Sequence, residues 1–153
     1  MSDVVLTDMK EVYNAVALLL ANDPQIGSLL GLDPSDSKFA VKRAGKIQKR
    51  RRPSTEVDSM PIISFYSYTG GYQPDNYRVY YAIFAFDVYT VGDIDLAQDI
   101  GKRLRQLFHR TIPVLGFGVT ALESDVVRQY ESEVNPVDSA LVCWTTVIEV
   151  PVE

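Results

Sequence analysis

The 153 residues include one cysteine, one histidine and one tryptophan. A lone cysteine, Cys143, excludes an internal disulfide, so a reducing cytoplasm is the expected place of synthesis and assembly. A lone histidine, His109, would leave a zinc site dependent on carboxylates, because zinc draws its ligands mainly from Cys and His. No metal and no cofactor is expected. No apolar run is much longer than AVALLLA at 15–21, well short of the roughly 20 residues a spanning helix needs. The opening MSDVVLTDMK has neither a basic start nor a long apolar stretch, and no secretory signal is read there. The glycine turns TGG at 69–71 and GFG at 116–118 lack the strand–GxxxxGK[ST]–helix layout that cradles phosphate.

What remains is ordinary globular composition, 46% hydrophobic and 23% charged, over a length that suits one domain spanning 1–153. The charge is unevenly placed. Between Lys38 and Arg52 stand eight basic residues (Lys38, Lys42, Arg43, Lys46, Lys49, Arg50, Arg51 and Arg52) and no acidic one, whereas the rest of the chain carries seven basic and twenty acidic residues. A basic segment on an acidic body predicts attraction between copies or to a polyanion.

The tract has three readings: a solvated loop, a contact arm reaching an acidic neighbour, or a strip along DNA. Phosphate contacts need only Lys and Arg density, but residues 40–54 contain no aromatic side chain to stack on bases. An acidic partner is available in the chain itself, so the contact arm, placed at 42–58 and mobile, is the preferred reading. Tyr66, Tyr68, Tyr72, Tyr77, Tyr80 and Tyr81 gather further on, where ordinary strand composition explains them better than a binding platform.

Periodicity orders the rest. Met9, Val12, Tyr13, Val16, Leu19 and Leu20 recur at three- and four-residue steps and predict an amphipathic helix from Thr7 to about Ala21, capped by Thr7 or Asp3. NDP at 22–24 stops it, and QIGSLLGLDPSDS reads as an apolar turn and a polar loop. Residues 38–59 show no sustained period and allow at most a short strand around 44–51. MPIISFYSY and YRVYYAIFAFDVYT predict an antiparallel hairpin across TGGYQPDN. In its second strand Phe84, Phe86 and Val88 face one way and Tyr81, Ile83, Ala85 and Tyr89 the other. Apolar on both faces, that strand is either central or covered by another subunit. VGDIDLAQDIGKRLRQLFHR predicts a second helix with Asp93 as cap, cations toward its end, and Ile100, Leu104, Leu107 and Phe108 as its core stripe. Two closing strands follow, the last half-buried, with Trp144 on its covered side. The predicted fold is α+β: a mostly antiparallel sheet with two helices packed on it, an extended basic arm and a hairpin loop.

Candidate chemistry is sparse. A Cys143–His109 nucleophile pair can be written down, but a mid-strand cysteine beside Trp144 is better read as a small packing residue. Asp93, Asp95 and Asp99 at a helix start read as a cap and a solvated face. No enzymatic activity is expected.

The ordered set AVALLLANDPQIGSLLG, MPIISFYSY, FAFDVYTVGDIDLAQDIGKRLRQLF and VRQYESEVN…ALVCWTTVIEV resembles the tail terminator proteins of long-tailed bacteriophages, also known as tail completion or head–tail joining proteins. The resemblance is one of layout over nearly the whole chain. It implies a structural virion protein at the head–tail interface, forming a ring, typically hexameric, that seats on the last tail-tube ring. That ring stops tube polymerisation and offers a surface to a neck or head-completion protein. The implied partners are further copies of this chain, the tube protein, the neck protein and, non-specifically, DNA passing through the lumen. The residues expected to reach neighbours are Lys46, Lys49, Arg50, Arg51 and Arg52 on the arm, and Tyr72 and Tyr77 near the hairpin loop at 69–77. The alternatives are another head–tail connector, such as a neck or head-closure protein, or a DNA-binding accessory protein using the tract at 42–52.

Overall fold

The computed structural model describes residues 9–50, 60–73, 76–132, 134 and 141–153; for 68–73 and 76–78 it describes the backbone alone. In chain order the elements are α1 (Met9–Ala21), α2 (Pro24–Leu29), α3 (Phe39–Lys46), β1 (Ile47–Gln48), β2 (Ile62–Gln73), β3 (Asn76–Val91), α4 (Ile94–Phe108), β4 (Asp125–Ser132) and β5 (Leu141–Val152). The strands form one sheet in the order β1-β2-β3-β5-β4. All neighbours pair antiparallel except β1, which runs parallel to β2. The α+β class and the antiparallel hairpin therefore stand as read. The helix count does not, because four helices are present among the described residues.

Each helix forms for a local reason. In α1, Val12, Ala15, Val16 and Leu20 fall on one buried face. The residues expected to cap it, Asp3 and Thr7, lie outside the described residues. Asp23 ends the connection after α1 and at once begins α2: its carboxylate accepts from the Ile26 N–H at 3.0 Å, and Pro24 occupies the first turn, where a missing N–H costs nothing. Gly31 closes α2 at φ 76°, with Leu32 N–H donating back to the Gly27 carbonyl at 2.9 Å. The apolar turn expected at 25–31 is thus a short helix. Asp93 caps α4 by accepting from the Leu96 N–H at 2.9 Å, and Ile100, Leu104 and Phe108 are fully buried beneath the helix.

The core lies between the helices and one face of the sheet. An aromatic row crosses it: Tyr13 of α1 stacks on Phe65 at 5.8 Å and meets Phe84 edge-on at 5.2 Å. Phe65 then stacks on Phe86 at 5.4 Å, and Phe86 meets Phe108 of α4 at 5.6 Å. The Tyr13 hydroxyl also accepts from the Ser67 N–H of β2. Two polar ties fix α4. Gln129 of β4 donates to the Gly101 carbonyl and to Thr146 Oγ1, each at 2.9 Å. Arg103 donates through Nε and Nη2 to Asp23 at 2.9 and 2.6 Å, joining α4 to the start of α2.

β3 is the middle strand of five, so the central position read for it is observed. The expectation of a half-buried last strand is corrected. β5 lies between β3 and β4, and Cys143, Thr145 and Val147 on its far side are as buried as Ile148 and Val150 on its helix side. β4 is an edge strand with a register shift between Val126 and Arg128 that leaves Val127 as an extra, outward residue.

Candidate interaction surface

The basic tract is not an extended arm where the structure describes it. Residues 39–46 form α3 and residues 47–48 pair with β2 as β1. Lys42 reaches back to Asp36 at 2.5 Å, and this contact, the largest cause, holds the Asp36 carboxyl below its usual value. The Arg43 guanidinium sits 5.3 Å over the Phe39 ring. Lys46 is half-buried and donates to the Pro61 carbonyl at 3.3 Å, and burial lowers the pKa of its ammonium. Lys49 donates to Asn14 Oδ1 of α1 at 2.5 Å. The Arg50 carbonyl accepts from Ser64. Lys46 and Lys49 are thereby tied to other parts of the chain, and Lys42 and Arg43 to residues at or just before the start of α3. Arg51 and Arg52, and the rest of the arm as far as residue 59, lie outside the described residues. The side chains of Tyr72 and Tyr77 do too, although their backbones belong to β2 and β3.

α3 buries no residue completely, and open grooves flank it on both sides. One, of about 450 Å³, runs past Asn22, Asp23, Leu32, Phe39 and Arg43. The other, of about 270 Å³, lies between α1 and α3 and is lined by Ala17, Leu18, Ala40, Ala44, Ile47 and Phe117. Phe117 is held there in the left-handed region at φ 60°, followed by Gly118 at φ 71°. This second groove is mainly apolar; among the described residues Arg43 is the one cation of the tract that lines it, and Lys49 reaches Asn14 on its wall.

The far face of the sheet holds a polar cluster that sequence reasoning missed. Thr145 Oγ1 donates to Asp87 at 2.6 Å, so the Ser132 hydroxyl, 2.5 Å from Thr145 Oγ1, must donate to it. Cys143 Sγ lies 3.8 Å from the same oxygen. Burial, helped by the nearby Asp87 charge, pushes the Cys143 thiol up to about 12, and burial, with Cys143 and then Asp87 helping, also raises the Tyr89 hydroxyl. The strand register Asp87↔Thr145 and Ser132↔Cys143 assembles these residues, and no spacing within any one segment announces it.

Cys143 and His109 do not come together. Trp144 faces α4, so Cys143, one residue earlier, points to the opposite side of the sheet. His109 follows α4, and its Nδ1 accepts from the Val126 N–H at 3.2 Å, tying the helix end to β4. Asp93 is a cap, as read, and Asp95 and Asp99 are exposed.

No protein-family model matches the chain, and neither does any curated protein. Among solved structures it is similar to a chain of the virion of a native gene transfer agent particle, at 15% identity and a TM-score of 0.65. That match covers 95% of this chain and 96% of the other. The two share one fold from end to end.

Proposed function

We propose that this chain is a structural virion protein and, within that class, a phage tail terminator. In this reading copies of it form a ring, taken as a hexamer, that caps the tail tube, stops its polymerisation and gives the neck its docking surface. The observation that carries the reading is the end-to-end fold shared with a chain of a gene transfer agent virion. The ordered layout of helix, hairpin, helix and two strands agrees with it. In this reading the basic tract serves a protein contact, for which the acidic remainder of a neighbouring copy is available.

Electron microscopy of particles assembled without this chain tests the reading. Overlong tails without heads are expected. Tails of normal length would overturn it, and if heads were also missing, the role would belong to the neck.

A further inference from the structure

Two exposed apolar groups lie at opposite ends of the sheet. At the β1 end, Leu18 and Phe117, the latter 55% exposed, line the α1–α3 groove, and Val41 of α3 is 75% exposed. At the β4 end stand Val127, 52% exposed, and Tyr130, 41% exposed. The charges around them differ in sign. The segment 36–50, which carries Val41, holds Lys38, Lys42, Arg43, Lys46, Lys49 and Arg50 against a single carboxylate, Asp36, which pairs with Lys42, and Arg43 lines the groove itself. Around the second are Glu123, Asp125 and Glu131. Arg128 lies over the Tyr130 ring, and Arg110 is 4.0 Å from Asp125. Even with both arginines included, carboxylates outnumber cations there.

We infer that the β4 surface of one copy seats against the α1–α3 groove of the next, with Val127 and Tyr130 meeting Leu18, Val41 and Phe117. The partner is a second copy of this chain, and the inference rests on the ring reading, to which it adds the two surfaces. An apolar centre with a charged rim is the anatomy of a specific interface. Opposite charges across the rim fix orientation and speed encounter. Because the two surfaces are different and sit at opposite ends of one sheet, the contact is head-to-tail, the type that closes into a ring when the rotation allows.

Charge exchange in the full-length chain is the test, read by light scattering at low salt, with circular dichroism confirming that each variant is folded. The unaltered chain is expected to give one discrete oligomer that added salt weakens. Lys49→Glu with Arg50→Glu should reduce it to monomer, and so should Glu123→Lys with Glu131→Lys. A chain carrying all four substitutions should reassemble. If both double variants keep the original oligomer, or the fourfold variant stays monomeric, this contact is wrong while the ring reading stands. An unaltered chain that is monomeric at every concentration, and on tube ends, would sink both.

Discussion

Gly101 of α4 passes so close to Trp144 of β5 that a Cβ at position 101 would lie 2.6 Å from the indole Cδ1 and 2.7 Å from Nε1. Alanine in a helix interior normally gains up to about 1 kcal/mol over glycine, but a methyl forced into a packed contact costs roughly 1–3 kcal/mol. The indole is rigid and cannot fold aside. Gly101→Ala is therefore expected to lower stability in urea denaturation, and adding Trp144→Phe should return part of the loss. A stabilised Gly101→Ala protein would mean that helix and strand stand further apart.

Asp23 should confer an acid-sensitive share of stability. The Arg103 guanidinium, the largest cause, holds its carboxyl below the usual value, with the Ile26 N–H helping and burial opposing. For a lowered folded pKa the stabilisation is complete above the unfolded value, near 3.9, and drains away as pH falls through the lower folded value. Asp23→Asn keeps an oxygen for the cap and removes the titration, so its stability should fall less between about pH 5 and pH 3 than that of the unaltered protein. Asp23→Ala loses the cap as well, about 1 kcal/mol more. Melts across that range decide the matter; parallel acid profiles for the Asp23→Asn variant and the unaltered protein would assign the effect elsewhere.

The Cys143 thiol is buried, and its pKa is pushed up to about 12. Since the thiolate is the reactive species, a chromogenic disulfide reagent at pH 8 should leave the folded protein unlabelled and react with one thiol per chain in denaturant. Fast labelling of the native protein would show that the far face of β5 is open.

Phe86 sits in the aromatic row between Phe65 and Phe108 and is fully buried. Phe86→Ala is expected to cost roughly 3–5 kcal/mol, the range for a truncated core aromatic. Trp144, partly buried against the same core, should fall toward the low end of that range. Losses under 1 kcal/mol at both positions would place the core elsewhere.

The parts of this fold that are legible in the sequence are those where one apolar face does all the packing. α1 and α4 carry unbroken stripes, and Asp93 announces its helix. α2 is obscured because Asp23-Pro24 is a stop signal for the helix before it and a start signal for the helix after it, and the stop masks the start. α3 is obscured by its cations. It buries nothing completely, so no stripe marks it, although Phe39 and Arg43 stand four residues apart and stack as helical neighbours do. The far side of β5 looks exposed in the sequence because Thr145 and Cys143 are small and polar or soft. Their burial comes from cross-strand partners such as Asp87 and Tyr89, whose register no local pattern encodes.

The candidate surface is half legible. Lys46, Lys49 and Arg50 stand out by charge density alone, and the structure gives the Lys46 and Lys49 ammonium groups partners and the Arg50 carbonyl one. Their setting, a groove built from α1, α3 and the distant Phe117, depends on tertiary placement. The acidic group at and beside β4 is invisible as a surface in the sequence, because Glu123, Asp125 and Glu131 are ordinary solvated positions until the strand order puts them at the far margin of the sheet.

The displaced residue at Val127 has a consequence for growth. An unbroken row of free amides and carbonyls along β4 would invite strand after strand to add on, and such ladders have no built-in end. The shift between Val126 and Arg128 interrupts that row, and the charged side chains at 125, 128 and 131 make a stray strand an unwelcome guest. In the proposed ring, a neighbouring copy at this edge would be held by shape and side chains rather than by strand addition.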